Sequence, residues 1–107
     1  MATITRGHPD AHVSALKDAL DAYEQEHPGA RADLYRQNSA SVRIRVVDER
    51  FTDMTRVARH RELWAYLAAR VEEDAMSEVS VLLALAPGEV RDSLGNMDFE
   101  NPLPSNL

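Results

Sequence analysis

The chain has 107 residues, 44% of them apolar, which bounds it to one small folded domain rather than a disordered segment. It contains no cysteine, and this excludes disulfides, thiolate metal sites and cysteine nucleophiles together. A formal charge of −6 weighs against a general nucleic-acid binder. That charge is unevenly laid out: residues 1–30 sum to −3, residues 31–70 to +4 and residues 71–107 to −7. A basic centre therefore lies between two acidic ends.

The opening stretch, residues 1–9, lacks the apolar core of a signal peptide and is read as an irregular segment. No run approaches about 18 consecutive apolar residues, so no membrane span and a cytoplasmic location are expected. Pro9-Asp10 opens the first helix, with Asp10 as its cap. Val13, Leu16, Leu20 and Tyr23 recur at helical spacing, and His27-Pro28-Gly29 stops the helix near residue 26. Residues 31–37 alternate as a strand, with Ala32 and Leu34 inward. Asn38-Ser39-Ala40 is a turn. In residues 41–48, Val42, Ile44 and Val46 take one face and Arg43 and Arg45 the other, the period of a half-buried strand. The two segments form an antiparallel hairpin.

Thr52 or Asp53 is the expected cap of a second helix running to about residue 74. Its apolar stripe is read as Val57, Trp64, Leu67, Ala68 and Val71, which makes Trp64 a buried core residue. Glu72-Glu73-Asp74 then fall at the helix C-terminus, where the dipole disfavours acids and fraying is expected. Residues 78–86 form the last strand. Val79, Val81, Leu83 and Leu85 are assigned to the core face; Glu78, Ser80, Leu82 and Ala84 are assigned to the other. Pro87-Gly88 ends it. The expected fold is an α+β two-layer sandwich in the order α-β-β-α-β with a three-stranded mixed sheet. The domain spans residues 10–90, and residues 91–107 form a C-terminal tail.

The element order and the run from Val46 to Arg61, which contains Phe51 and Arg59-His60-Arg61, resemble the BolA-like family, as does Ala86-Pro87-Gly88-Glu89 after the last strand. The resemblance covers residues 10–90 and implies a class II KH-like arrangement, with helices on one side of a three-stranded sheet. Two positions depart from the family pattern. Its loop glycine is replaced near Asp53, so no Gly-x-x-Gly approach to phosphates is expected. Glu78 stands where the family has a histidine implied to ligate an iron–sulfur cluster shared with a glutaredoxin; carboxylate is the harder and poorer ligand for such a cluster.

His8, Asp10 and His12 have the spacing of a small metal site, yet no third ligand is fixed nearby, and a solvated helix entry explains them. His60 lies beside the assigned stripe and is read as a partly buried histidine rather than an acid–base group. Arg43, Arg45, Arg56, Arg59 and Arg61 are candidates for a phosphate-binding patch, set against a solvated face balanced by Asp48, Glu49, Asp53 and Glu62. Only Tyr35 and Tyr66 offer rings for base stacking beside them. No phosphate loop or nucleophile elbow is present, so no enzyme and no cofactor are expected. The binding candidates are Arg43, Arg45, Arg56, Arg59, His60, Arg61 and Glu78. The leading reading is a non-enzymatic adaptor that binds a protein or self-associates as a homodimer through the open sheet face. The alternatives are nucleic-acid binding through the basic centre and partnership with a glutaredoxin. Met97-Asp98-Phe99-Glu100 in the tail is read as a segment able to dock on the open face.

Overall fold

The computed structural model describes residues 1–7 and 9–90. In chain order these form β1 (Thr3–Arg6), α1 (Ala11–Glu26), β2 (Arg31–Asn38), β3 (Ser41–Val47), α2 (Arg56–Ala68), a one-turn α3 (Glu73–Met76) and β4 (Val79–Leu85). The fold is thus mixed α/β with three helices and a four-stranded sheet, in the order β1-β2-β3-β4. β2 and β3 pair antiparallel, while β1 on β2 and β4 on β3 are parallel. Among the described residues, no helix is long and apolar enough to cross a membrane.

The fourth strand departs from the three-stranded expectation. Thr-Ile-Thr at residues 3–5 suits a pleated edge, and Ile4 pairs with Leu34. Beside it, the Ala2 N–H donates to Asp21 at 2.5 Å and the terminal ammonium meets Glu24 at 2.6 Å, which ties the chain start to α1. The first helix forms as expected: the Asp10 carboxylate accepts from the Val13 N–H at 3.0 Å. Its end is closed by the His27 N–H on the Tyr23 carbonyl and by Gly29 at φ +96°, a conformation that glycine adopts without strain. The hairpin also forms, and Asn38 Oδ1 accepts from the Ala40 N–H at 2.9 Å inside its turn.

Helices and sheet enclose one core of Val13, Leu16, Leu20, Tyr23, Leu34, Val42, Ile44, Val46, Phe51, Leu63 and Leu67. Three details of α2 correct the sequence reading. Thr55, not Thr52 or Asp53, caps α2, its Oγ1 accepting from the Ala58 N–H at 3.1 Å; Glu49–Asp53 is instead a 3-10 turn capped by Asp48. The helix ends at Ala68, so Glu72, Glu73 and Asp74 open α3 rather than close α2. Acids suit that position, because N–H groups point toward them there.

The third correction concerns face. Trp64 is 36% exposed and Val57 66% exposed, whereas Arg59, Leu63 and Leu67 are the buried residues of α2. The inward stripe is rotated by about one residue from the one read in the sequence. Arg59 holds a core-facing position, and that breaks the apolar periodicity.

β4 is likewise turned over. The register shifts between Val79 and Val81, after which Leu82 opposes Ile44 and Ala84 opposes Val46 on the core face. Val81, Leu83 and Leu85 consequently share the opposite face with Arg43, Arg45 and Val47. A one-residue bulge inverts every side chain that follows it. The C-terminal tail, with Met97-Asp98-Phe99-Glu100, lies outside the described residues.

Candidate functional site

The arginines read as one patch fall in three places. Arg59 is 4% exposed and its guanidinium makes four hydrogen bonds. Nη1 and Nη2 reach the Glu89 carboxylate at 2.5 and 3.0 Å, Nε reaches the Met54 carbonyl at 3.1 Å, and Nη1 also reaches the Ala84 carbonyl at 3.2 Å. The pair clamps α2 to the end of β4. Hydrogen bonding from Arg59, then from the Ala86 N–H, holds the Glu89 carboxyl at about 2. A bidentate, buried arginine of this kind is structural.

Arg43 and Arg45 lie on the sheet face that turns away from the helices. Arg45 pairs with Asp33 across the hairpin at 2.5 Å, and Arg43 donates to the Tyr35 hydroxyl at 3.2 Å. Tyr35 is fully buried there, with the Arg6 guanidinium 5.8 Å from its ring centre. Tyr66 is engaged as well: Arg70 stacks 3.6 Å above its ring and its hydroxyl donates to Glu26. Neither tyrosine presents a ring face to a base.

Glu78 closes a charge network at the other end of the molecule. Its Oε1 accepts from Arg36 at 2.8 Å and lies 2.9 Å from His12 Nδ1. Arg36 also grips Asp10 at 2.5 Å. The Arg36 hydrogen bond, then His12, holds the Glu78 carboxyl below its ordinary range, and Arg36, then the Val13 N–H, holds Asp10 at about 2. This network joins the start of α1, the end of β2 and the start of β4. Asp10 and His12 are committed to it; His8 lies outside the described residues. Among the described residues, no group of three side chains could hold a metal ion.

The remaining candidates, Arg56, His60 and Arg61, come together on the outer face of α2. With Val57, Trp64 and Ala65 they line an open surface groove. His60, read from the sequence as partly buried, is exposed and stacks on Trp64 with ring centres 6.0 Å apart and planes 9° from parallel. Val57 and Trp64 are, with Met1, the large apolar side chains most exposed among the described residues. An apolar strip flanked by cationic groups thus runs along one helix, built from residues at i, i+3, i+4 and i+7 that share a face. Sequence reasoning assigned Val57 and Trp64 to the core and so missed this groove. The signal that locates it is Leu63, which makes the better inward stripe with Leu67 once Arg59 is allowed inside.

A second sequence-invisible feature lies under the hairpin. Asp48 is 4% exposed and accepts from the Tyr23 hydroxyl at 2.8 Å and from the Arg50 N–H at 3.0 Å. Burial, then this hydrogen bond, pushes the Tyr23 phenol well above its usual range.

Comparison with known proteins adds a fold and no activity. No protein-family profile and no curated protein matches the chain. Among solved structures, the chain is similar to the solution structure of the XC975 protein, with 25% identity and a TM-score of 0.51, over 78% of this chain and 98% of that one.

Proposed function

We propose that the chain is a non-enzymatic protein-binding domain, and that its binding surface is the outer groove of α2 rather than the sheet. One observation carries this reading: Val57 and Trp64 stand 66% and 36% exposed on one helix face, two turns apart, in a groove edged by Arg56, His60 and Arg61. Solvent-exposed tryptophan beside arginine is the composition of interaction hot spots. The partner that fits is an acidic segment carrying an apolar anchor. The anchor covers Val57 and Trp64, and its carboxylates meet the cations, which sets orientation. Two copies of α2 packed antiparallel would bring Arg61 against Arg61, so like charges speak against self-association here. A BolA-like kinship rests on the sequence around Phe51, Arg59-His60-Arg61 and Ala86-Pro87-Gly88-Glu89, and the chain adds β1 and α3 to the α-β-β-α-β order. The engagement of Glu78 by Arg36 and His12 speaks against its serving a shared iron–sulfur cluster.

A second reading has one observation in its favour. The stacked His60 and Trp64 beside two arginines offer a platform for an unpaired base.

Titration separates the two readings, because Trp64 is the chain's sole tryptophan and sits in the groove. Short peptides rich in Asp and Glu around one Leu or Phe are expected to shift Trp64 emission to the blue, with affinity falling as salt rises. A response to basic peptides of equal strength would overturn the charge argument. Binding of a labelled single-stranded oligonucleotide, with no response to acidic peptides, would replace the protein-binding reading by the second one.

A further inference from the structure

The side chains that line the outer groove all come from one helix, α2. A partner lying there meets side chains alone, because the α2 backbone is hydrogen-bonded within the helix. An extended segment on such a surface loses water from its own N–H and C=O groups and finds no backbone partner to replace it. An added strand needs a sheet edge, which α2 does not offer. A helix arrives with its backbone groups already paired.

The pattern along α2 has the reach and period of a second helix. At about 100° per residue, Trp64 and Ala68 fall within about 20° of Val57, one on either side of it. All three are exposed, so the stripe they form runs about 16 Å along the axis, three turns. Val57 and Trp64 stand one heptad apart, the repeat that two helices share when they cross at a shallow angle of about 20°. Arg61 flanks the stripe on one side, and His60 and Arg56 flank it on the other. The one acid of α2, Glu62, is turned from the stripe and held by Arg50 at 2.7 Å. Ala65 and Ala68 have short side chains that leave room beside the Trp64 ring for close approach. We propose that the partner of this groove is an acidic amphipathic helix laid lengthwise along α2. Its apolar residues recur at i, i+3 or i+4 and i+7, and its carboxylates lie on both flanks of that stripe. The inference rests on the protein-binding reading of α2 and adds the partner's conformation and pattern.

Three synthetic peptides of about twelve residues, short enough to be largely unfolded alone, test this with the isotope-labelled full chain. The first places leucines at i, i+4, i+7 and i+11 among glutamates and alanines. The second holds the same residues with leucine and glutamate alternating. The third is the first with a proline at its centre. Amide shifts report where each peptide binds, and far-ultraviolet circular dichroism of the mixture reports the helix gained on binding. The first peptide is expected to shift residues 56–68 and to gain helical signal. The other two are expected to bind there about a hundredfold more weakly, since proline breaks the helix and alternation leaves no helix face holding all the leucines. Equal affinity of the alternating or the proline peptide at residues 56–68, or binding of the first with no gain in helical signal, overturns the helical partner and leaves the protein-binding reading standing. No shift at residues 56–68 with any of the three overturns both.

Discussion

Arg59 determines which way α2 faces. Its guanidinium is placed inside by four hydrogen bonds, two of them to Glu89. Leu63 and Leu67 follow it inward at successive steps of four. Leu63→Ala is therefore predicted to cost about 2–5 kcal/mol, and Trp64→Ala less than about 1 kcal/mol, in urea melts of the two variants. Equal costs would return Trp64 to the core. The Glu89 partner makes a separate, pH-dependent prediction. Its carboxyl is lowered from 4.5 to about 2, so the pair's stabilisation is complete above pH 4.5 and is lost as pH falls toward 2. Glu89→Gln leaves the buried guanidinium with a neutral partner, and the acid-dependent part of the melting curve contributed by this pair should vanish. Asp10 adds a component over the same interval, from 3.8 down to about 2, so the variant flattens the acid limb without abolishing it. At this scale the sequence was least legible. Nothing local distinguishes an arginine that solvates from one that a carboxylate 30 positions onward draws inside.

At the scale of elements, local signals sufficed where capping and turn chemistry were decisive. Asp10, Gly29 and the Asn38 turn sit where their side chains or backbones require, and α1, β2 and β3 follow from them. At β4 and β1 the structure differs from the sequence reading. The bulge between Val79 and Val81 turns over the remainder of β4, although the alternation itself is unbroken in the sequence. β1 was missed because four residues carry too little periodicity to be read, and its place is fixed by β2 and by the Asp21 and Glu24 carboxylates of α1. The observed register predicts that Leu82→Asp, opposite Ile44, destabilises more than Leu83→Asp, opposite Arg45. A difference of about 1–2 kcal/mol in denaturation midpoints converted through a common slope is expected, since only the first carboxylate is forced toward the helix-side core. The reverse order would mean that the bulge is absent.

For the whole molecule, the two faces of the sandwich differ in chemistry. The sheet face carries Val81 and Leu83 beside Arg43 and Arg45. The outer side of α2 sets Val57 and Trp64 among Arg56, His60 and Arg61. The charge layout carried part of this in advance: a basic centre between acidic ends is visible by counting. The division of that centre among a buried pair, a sheet face and a helix groove is a property of the fold alone. Protein binding through α2 is the central claim. Its most direct measurement is a map of backbone amide shifts in the isotope-labelled full chain on addition of an acidic peptide with one Phe or Leu anchor. The account predicts shifts concentrated at residues 56–65, around Val57, His60, Arg61 and Trp64, and abolished by Trp64→Glu in a protein that keeps its fold. Shifts centred instead on Arg43, Arg45, Val81 and Leu83, or no shifts at all, would contradict it.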